Sequence, residues 1–164
     1  MGRLDRSSVY QTRWTVCFTL QEEVINLKPY FSEISVLYAS INAGLLVLIW
    51  LVQVIIYPGM HNWVTSNFSE LHRAYTRRIT LLVVPLMLAQ AALGLQVAMS
   101  SPGILPVLQL ILIAFVWGVT AFISVPLHRR LSTGHDEQVI DRLINTNWLR
   151  TTGWSLVSLL DWAK

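Results

Sequence analysis

Long runs of uncharged apolar residues are the feature that most restricts the fold of this chain. Residues 34–56, 79–99 and 104–127 contain no Asp, Glu, Lys or Arg. A helix of about 20 residues, rising about 1.5 Å per residue, crosses a hydrocarbon core roughly 30 Å thick, so each run is long enough to span a membrane. A fourth run, residues 147–163, is shorter and contains Arg150 and Asp161. The sequence therefore predicts an all-α polytopic membrane protein, a four-transmembrane-helix bundle.

The composition supports a lipid environment and argues against nucleic acid as a partner. Only 13% of the residues are charged, whereas a typical soluble domain has about 25%. The net charge is +3, but the basic residues flank the apolar runs and do not form a separate basic module. Basic residues in such positions are typical of anchoring at anionic lipid headgroups. We therefore expect the lipid bilayer, and no nucleic acid, as a partner.

The first 32 residues differ in character from the rest of the chain. Arg13, Glu22 and Lys28 interrupt every apolar stretch there, so the pattern of a secretory signal is missing. Residues 1–32 are predicted to be a polar or interfacial segment ahead of a transmembrane domain, residues 33–164; a start codon assigned too far upstream is the alternative explanation. Cys17 is the single cysteine, which excludes an internal disulfide and a paired-thiol redox site.

Capping and turn signals between the runs predict how the helices connect. Asn67, followed by Glu70, is typical of an N-cap with a capping-box partner, so we expect a helix from about Phe68. The uncharged turn at residues 100–103 predicts that the second and third spans are antiparallel neighbours. Apolar residues at helical spacing in 139–144 predict a short amphipathic helix at the interface, separate from the fourth span.

Basic residues near the span ends predict an orientation in the membrane. The connection after the first span contains Arg73, Arg77 and Arg78, the one after the third contains Arg129, Arg130 and Arg142, and the turn after the second contains none. By the positive-inside rule, the two basic connections face the cytoplasm. The basic residues of the first 32 positions favour the opposite arrangement, so both orientations stay open, with an outside N-terminus preferred.

Polar side chains recur on one helical face in three of the spans. In lipid an unpartnered polar group is costly, so such residues are expected to face other helices or a cavity. At about 100° per residue, the stripes are Tyr38, Asn42, Gln53 and Tyr57 in the first span, Trp117, Thr120, Ser124 and His128 in the third, and Asn147, Thr151, Trp154, Ser158 and Asp161 in the fourth. Converging stripes predict a polar pocket, although the same residues could serve only to hold helices together.

Three histidines are expected near one membrane interface. His61 follows the first span, His72 precedes the second, and His128 ends the third. Imidazoles on facing helices act as general bases or as haem and metal ligands. They are therefore candidate catalytic residues (His72 and His128) and candidate metal ligands (His61, His72 and His128), with placement at the headgroup boundary as the alternative. The chain lacks a pair of histidines four residues apart on one helix, so haem remains a lesser possibility and the cofactor is otherwise unknown.

Arg150 lies about one turn into the fourth span. A permanent positive charge there needs a partner, and the candidates are Glu70, Asp141, a helix C-terminus or an anionic ligand. Snorkelling to lipid phosphate is the alternative. A guanidinium in this position could hold a carboxylate, a phenolate or a phosphate.

Two short segments carry a resemblance to known membrane proteins. The segments "VPLHRRL" at residues 125–131 and "NWLRTTGW" at residues 147–154 resemble a family of small, uncharacterised four-span bacterial membrane proteins and, more distantly, the anthrone-oxygenase-like family. Pro126, Leu127, Arg150 and Thr151 match the latter pattern. His128 stands where that family has asparagine and Asn147 where it has histidine, so the amide and the imidazole are exchanged.

The resemblance implies oxidation of a lipophilic phenolic or quinone-like substrate by molecular oxygen, in a bacterial inner membrane. In that scheme His128 or His72 removes a phenolic proton, and Arg150 with Asn147 stabilises the anion. The remaining candidate substrate-binding residues are Tyr57, Trp117, Trp154, Asn42, Gln53 and Thr151. Two alternatives stay open: a non-catalytic subunit or scaffold of a larger membrane complex or homo-oligomer, and a haem- or metal-binding membrane protein.

Overall fold

A computed structural model describes residues 33–163 of the chain. Within that range the protein is helical, with no strand. The long helices are α1 (Glu33–Asn62), α2 (Thr65–Ser100), α3 (Ile104–Leu131) and α4 (Glu137–Trp162). Within the described range, residues 37–163 form one compact unit. The predicted N-terminal polar or interfacial segment and Cys17 lie outside the described residues.

Three of the helices have the length and composition of membrane spans. These are α1, α2 and α3. They correspond to the three uncharged runs of the sequence, so the prediction of a helical membrane protein is confirmed to that extent. The remaining long helix, α4, is not among them because polar and charged residues are distributed along it.

Two of the helices contain a π-helical turn ahead of a proline. In α1 the turn is Val52–Ile56, followed by Tyr57 and Pro58. In α3 it is Thr120–Ser124, followed by Val125 and Pro126. Proline has no backbone N–H, and its ring clashes with the carbonyl four residues earlier, so a wider turn accommodates it without ending the helix. Each π turn also rotates the residues that follow it relative to those before it.

The start of α2 differs in detail from the capping prediction. Its regular α-helical part begins at Phe68 as expected and continues through Pro85 to Ser100. The Asn67 side chain makes no capping hydrogen bond, so the capping-box prediction is wrong. A 3₁₀ turn at Thr65–Asn67 leads into the helix instead, and this turn provides the initiating geometry.

A single helix occupies the region where the sequence predicts two. The expected short amphipathic helix and the fourth span are both parts of α4, which is continuous over Glu137–Trp162. The Asp136 carboxylate accepts a hydrogen bond of 3.1 Å from the Val139 backbone N–H and caps the helix. Val139, Ile140 and Leu143 then pack into a buried cluster with residues of α1. The apolar residues that suggested an interfacial helix therefore face protein.

Close packing of α3 against α4 positions the interior polar residues. These two helices pack against each other over much of their length. Gly153 allows this approach, because a Cβ atom there would overlap the Val116 side chain. The polar side chains of α4 are thereby held beside those of α1.

Candidate functional site

The predicted polar stripes face the interior of the protein. On α1, Asn42, Gln53 and Tyr57 are buried, and on α4 so are Asn147 and Thr151. Ser124 on α3 and Trp154 and Ser158 on α4 are buried as well. The interior orientation of these residues is therefore confirmed.

Trp117 is the exception among the stripe residues. Its side chain is 36% exposed, and it does not line the central cavity. The π turn at Thr120–Ser124 lies between Trp117 and His128, so the regular helical phase used to align the two does not hold. The structure therefore places Trp117 outside the cavity, and its role in substrate binding stays a prediction.

Gln53 connects α1 to α4 through a buried hydrogen-bond network. The Asn147 side-chain amide donates to Gln53 Oε1 at 2.8 Å, and the Thr151 hydroxyl donates to the same oxygen at 3.3 Å. Gln53 Nε2 in turn donates to the Ile144 carbonyl at 3.3 Å. Asn147 Oδ1 then accepts a 3.1 Å bond from Arg150 Nη1. Gln53, Asn147 and Thr151 thus orient Arg150 and do not themselves line the cavity.

Arg150 is a buried cation with incomplete pairing. Its side chain is only 6% exposed, and its Nε atom has no hydrogen-bond partner. Within the described part of the chain it forms no ion pair; the expected partner Asp141 binds His61 instead. The guanidinium carbon lies 5.1 Å from the centre of the Trp154 ring, which provides a cation–π contact. A desolvated guanidinium of this kind favours an anionic or carbonyl oxygen as partner.

A cavity of about 310 Å³ lies next to this arginine. Arg150, Tyr57 and His128 line it together with apolar residues such as Val83 and Met87. The lining therefore combines a largely apolar wall with a few polar groups, as small-molecule sites do. The cavity brings together three of the residues that the sequence predicted for the site.

The cavity opens between α2 and α3. The lining residues that are exposed at the protein surface are Thr80, Val84, Val125 and Arg129. All four belong to these two helices, whereas the lining residues of α1 and α4 are buried or partly buried. Both helices of the opening have the composition of membrane spans.

His72 and His128 contact each other directly. His72 Nε2 and His128 Nδ1 are 3.1 Å apart, and His128 Nε2 is 3.0 Å from the Tyr57 hydroxyl. The two imidazole rings stack with centres 5.2 Å apart, and the Phe68 ring stacks on the other side of His72. His72 is completely buried behind His128, outside the cavity lining. Of the two predicted bases, only His128 can touch a molecule in the cavity.

The histidines do not form a haem or metal site in this arrangement. His61 lies apart from the other two and pairs with Asp141 at 3.1 Å. His72 and His128 direct nitrogens at each other across 3.1 Å, which leaves no room for a porphyrin between them. Between residues 33 and 163 no three His, Cys, Asp or Glu side chains gather as a metal site would require. The donor set therefore does not fit haem bracketed by this pair.

A second polar network joins the four long helices away from the cavity. Asn42 accepts a 2.8 Å bond from Gln90 and donates to Asp161 at 3.3 Å. Trp154 Nε1 donates to Gln90 Oε1 at 3.1 Å, and Gln109 donates to the Val157 carbonyl at 3.1 Å. Asn42 and Trp154 therefore connect helices and do not line the cavity.

Sequence reasoning missed several residues of these sites. Gln90 and Gln109 are buried amides in otherwise apolar runs, and that isolation was the signal available for both. Thr76 and Ser132 line the cavity, but they lie where sequence alone predicts a solvated helix start or a loop. Thr80 lines the cavity too, at the start of the predicted second span.

A larger groove, about 580 Å³, lies on the outer surface beside Trp63, Tyr75 and Leu82. Most of its lining side chains are exposed, and it contains none of the buried polar residues. The smaller cavity, which has Arg150, is therefore the candidate site. Comparisons of the chain with protein-family models, curated proteins and solved structures find no match.

Proposed function

We propose that the protein is a four-span bundle that binds a lipophilic phenol or quinone-like compound in the cavity beside Arg150. The fourth span in this proposal is α4. Its polar side chains face the other helices, and its exposed face includes Leu149, Leu156 and Leu159. A helix can occupy lipid with such a composition when its polar residues are buried among neighbouring helices.

The observation that carries the proposal is the buried, incompletely paired guanidinium of Arg150. A charge removed from water without a carboxylate partner is unfavourable unless another group compensates for it. A phenolate or quinone oxygen bound at Arg150 would provide that compensation, and a charge-assisted hydrogen bond of this type contributes about 1.5–3 kcal/mol. The apolar wall near Val83 and Met87 would hold the ring of the same molecule.

Other anionic lipophiles are less suited to the cavity. Its volume of about 310 Å³ lies at the lower end of the range of small-molecule sites, roughly 300–1,000 Å³. A compact ring system fits that volume, whereas a diacyl lipid would extend far beyond it. The hydrogen bond between Tyr57 and His128 also provides a group that can accept or return a phenolic proton.

The resemblance of residues 125–131 and 147–154 to the anthrone-oxygenase-like family extends the proposal to an oxidoreductase. In that extension, the hydroxyl group of the bound phenol is deprotonated in the cavity, and molecular oxygen then oxidises the electron-rich phenolate. Arg150, which Asn147 orients, stabilises the anion, and Tyr57 and His128 accept and return the proton. Binding of the anion is the step that the geometry supports.

The test uses a lipophilic nitrophenol, whose phenolate is coloured and whose neutral form is not. Protein in lipid nanodiscs is titrated in buffer acidic enough to keep the free phenol protonated. We expect the phenolate colour to appear on binding to the wild type. The Arg150→Met variant should bind about 10- to 100-fold more weakly, as the loss of a charge-assisted hydrogen bond predicts.

Arg142→Met is the matched control, because Arg142 lies on the same helix but is exposed. This variant should leave the affinity unchanged. The methyl ether of the probe, which cannot ionise, should bind wild type and Arg150→Met almost equally. Equal phenol affinity in wild type and Arg150→Met would refute the proposed binding mode.

A further inference from the structure

Two buried polar atoms without hydrogen-bond partners belong to residues of the same cavity. They are Arg150 Nε and Thr76 Oγ1. Arg150 lines the cavity from α4 and Thr76 lines it from α2. Buried polar atoms in proteins are nearly always hydrogen-bonded, and an exception needs an explanation. Arg150 is explained by the first oxygen of a bound ring compound, whereas Thr76 has no partner yet.

Thr76 differs from three other threonines that lie inside helices of this protein. The hydroxyls of Thr120, Thr146 and Thr151 donate to the carbonyl four residues earlier, at 2.8, 2.7 and 3.1 Å. This bond is a common way for a threonine inside a helix to satisfy its hydroxyl. Thr76 Oγ1 makes no such bond. Its hydroxyl is therefore free to pair with a molecule in the cavity.

Ser124 provides a second hydroxyl on the facing helix. The short turn at residues 101–103 joins α2 to α3, and His72 contacts His128 near their other ends, so the two helices are antiparallel. Thr76 is four residues after His72, and Ser124 is four residues before His128. Each therefore lies about 6 Å, or one helical turn, nearer to the joining turn. Ser124 is only 3% exposed and lines the cavity, so both hydroxyls belong to one level of it.

The two kinds of polar group in the cavity suit different oxygen atoms. A guanidinium only donates hydrogen bonds, so Arg150 favours a phenolate or carbonyl oxygen. A hydroxyl both donates and accepts, so Thr76 and Ser124 can pair with either a hydroxyl or a carbonyl. The other lining residues include apolar ones such as Val83 and Met87. The cavity is thus suited to an apolar ring with oxygen atoms at two positions.

We propose that Thr76, with Ser124 on the facing helix, selects ring compounds that carry a second oxygen, such as dihydroxybenzenes and the corresponding quinones. This inference rests on the proposed binding of a phenol or quinone-like compound beside Arg150. The first oxygen binds the guanidinium, and the second pairs with the Thr76 hydroxyl. A phenol with one oxygen leaves that hydroxyl unpaired. Thr76 is accordingly a specificity-determining residue.

The test compares the lipophilic nitrophenol with analogues that carry one further ring hydroxyl, one analogue for each free ring position. Protein in nanodiscs is titrated with each probe, and the affinity for the analogue is divided by the affinity for the nitrophenol. Partitioning into lipid and the acidity of the probes affect this ratio equally in all variants. For the analogue that wild type binds best, Thr76→Val should lower the ratio about three- to tenfold, because it removes one hydrogen bond between neutral groups. Thr76→Ser keeps a hydroxyl and should retain the ratio.

Thr120→Val is the matched control. Thr120 also lines the cavity, but its hydroxyl already donates to the Val116 carbonyl, so the ratio should equal that of wild type. Wild type alone provides a second measurement, in which at least one analogue should bind more tightly than the nitrophenol.

The outcomes separate this inference from the proposed function. Equal ratios in wild type and Thr76→Val for every analogue, or no analogue that wild type binds more tightly than the nitrophenol, would overturn the role of Thr76. Binding of the nitrophenol that still depends on Arg150 would then leave the proposed function standing. Failure of wild type to bind any of the probes would refute the proposed function itself.

Discussion

A methyl group added at Gly153 should destabilise the protein by separating α3 from α4. The Cβ of an alanine there would overlap Val116 Cγ2. Valine in a helix has one strongly preferred χ1 rotamer, so the methyl cannot turn away easily and the helices must shift. Overpacking of this kind lowers the free energy of unfolding by about 1–3 kcal/mol, and the better helix propensity of alanine raises it by up to about 1 kcal/mol. We therefore expect Gly153→Ala to lower the free energy of unfolding by about 1–2 kcal/mol.

The assay is thermal unfolding of the purified protein in detergent. At this chain length 1 kcal/mol corresponds to about 2–4 °C, so the transition should fall by several degrees. Gly44→Ala is the matched control, because a Cβ there meets nothing within 4 Å, and its transition should not fall. Adding Val116→Ala to Gly153→Ala makes room for the new methyl, so the double variant should lose less than the sum of the two single changes. A Gly153→Ala protein as stable as wild type would refute the packing of α3 against α4 described here.

Three further predictions concern the network, the surface and the opening. Gln53→Leu leaves the Asn147 amide without its 2.8 Å acceptor, so the free energy of unfolding should fall by about 1–3 kcal/mol in the same melting assay. An unchanged free energy of unfolding would contradict the network. His61→Gln breaks only the exposed His61–Asp141 pair, so the free energy of unfolding should fall by less than about 1 kcal/mol. A larger fall would contradict this description of the pair. Val84→Trp narrows the opening of the cavity and should slow nitrophenol association in a stopped-flow measurement. Val107→Trp is the control, because Val107 is an exposed position of α3 outside the cavity lining, and it should leave the association rate unchanged. Equal slowing by both variants would contradict entry between α2 and α3.

Helical periodicity correctly predicted the inward orientation of several polar residues. Asn42, Gln53, Asn147 and Thr151 are all buried, as their spacing indicated. The reason is physical: an amide or hydroxyl facing acyl chains has no partner, so the position of each polar residue in the helix determines its environment. The same argument identified Arg150 as a cation in need of a partner.

Departures from regular helical geometry could not be predicted in the same way. The π turns before Pro58 and Pro126 could not be predicted, because a proline in a helical pattern indicates a disturbed helix without indicating whether the helix ends, kinks or widens. Trp117 was wrongly placed inside because the π turn in α3 changes the phase. The pairing of His72 with His128 joins residues far apart in sequence, and sequence predicted only that both lie at the same membrane level. The continuity of α4 over Glu137–Trp162 was missed because apolar spacing alone does not distinguish a surface that faces the membrane interface from one that faces protein.

The position of a brominated phenol bound to the protein would distinguish the cavity beside Arg150 from the outer groove as the binding site. A structure of the complex determined with anomalous scattering would locate the bromine. We expect bromine in the cavity near Val83 and Met87, with the phenolic oxygen within hydrogen-bonding distance of the Arg150 guanidinium. Bromine in the outer groove beside Trp63, with the cavity beside Arg150 empty, would contradict it.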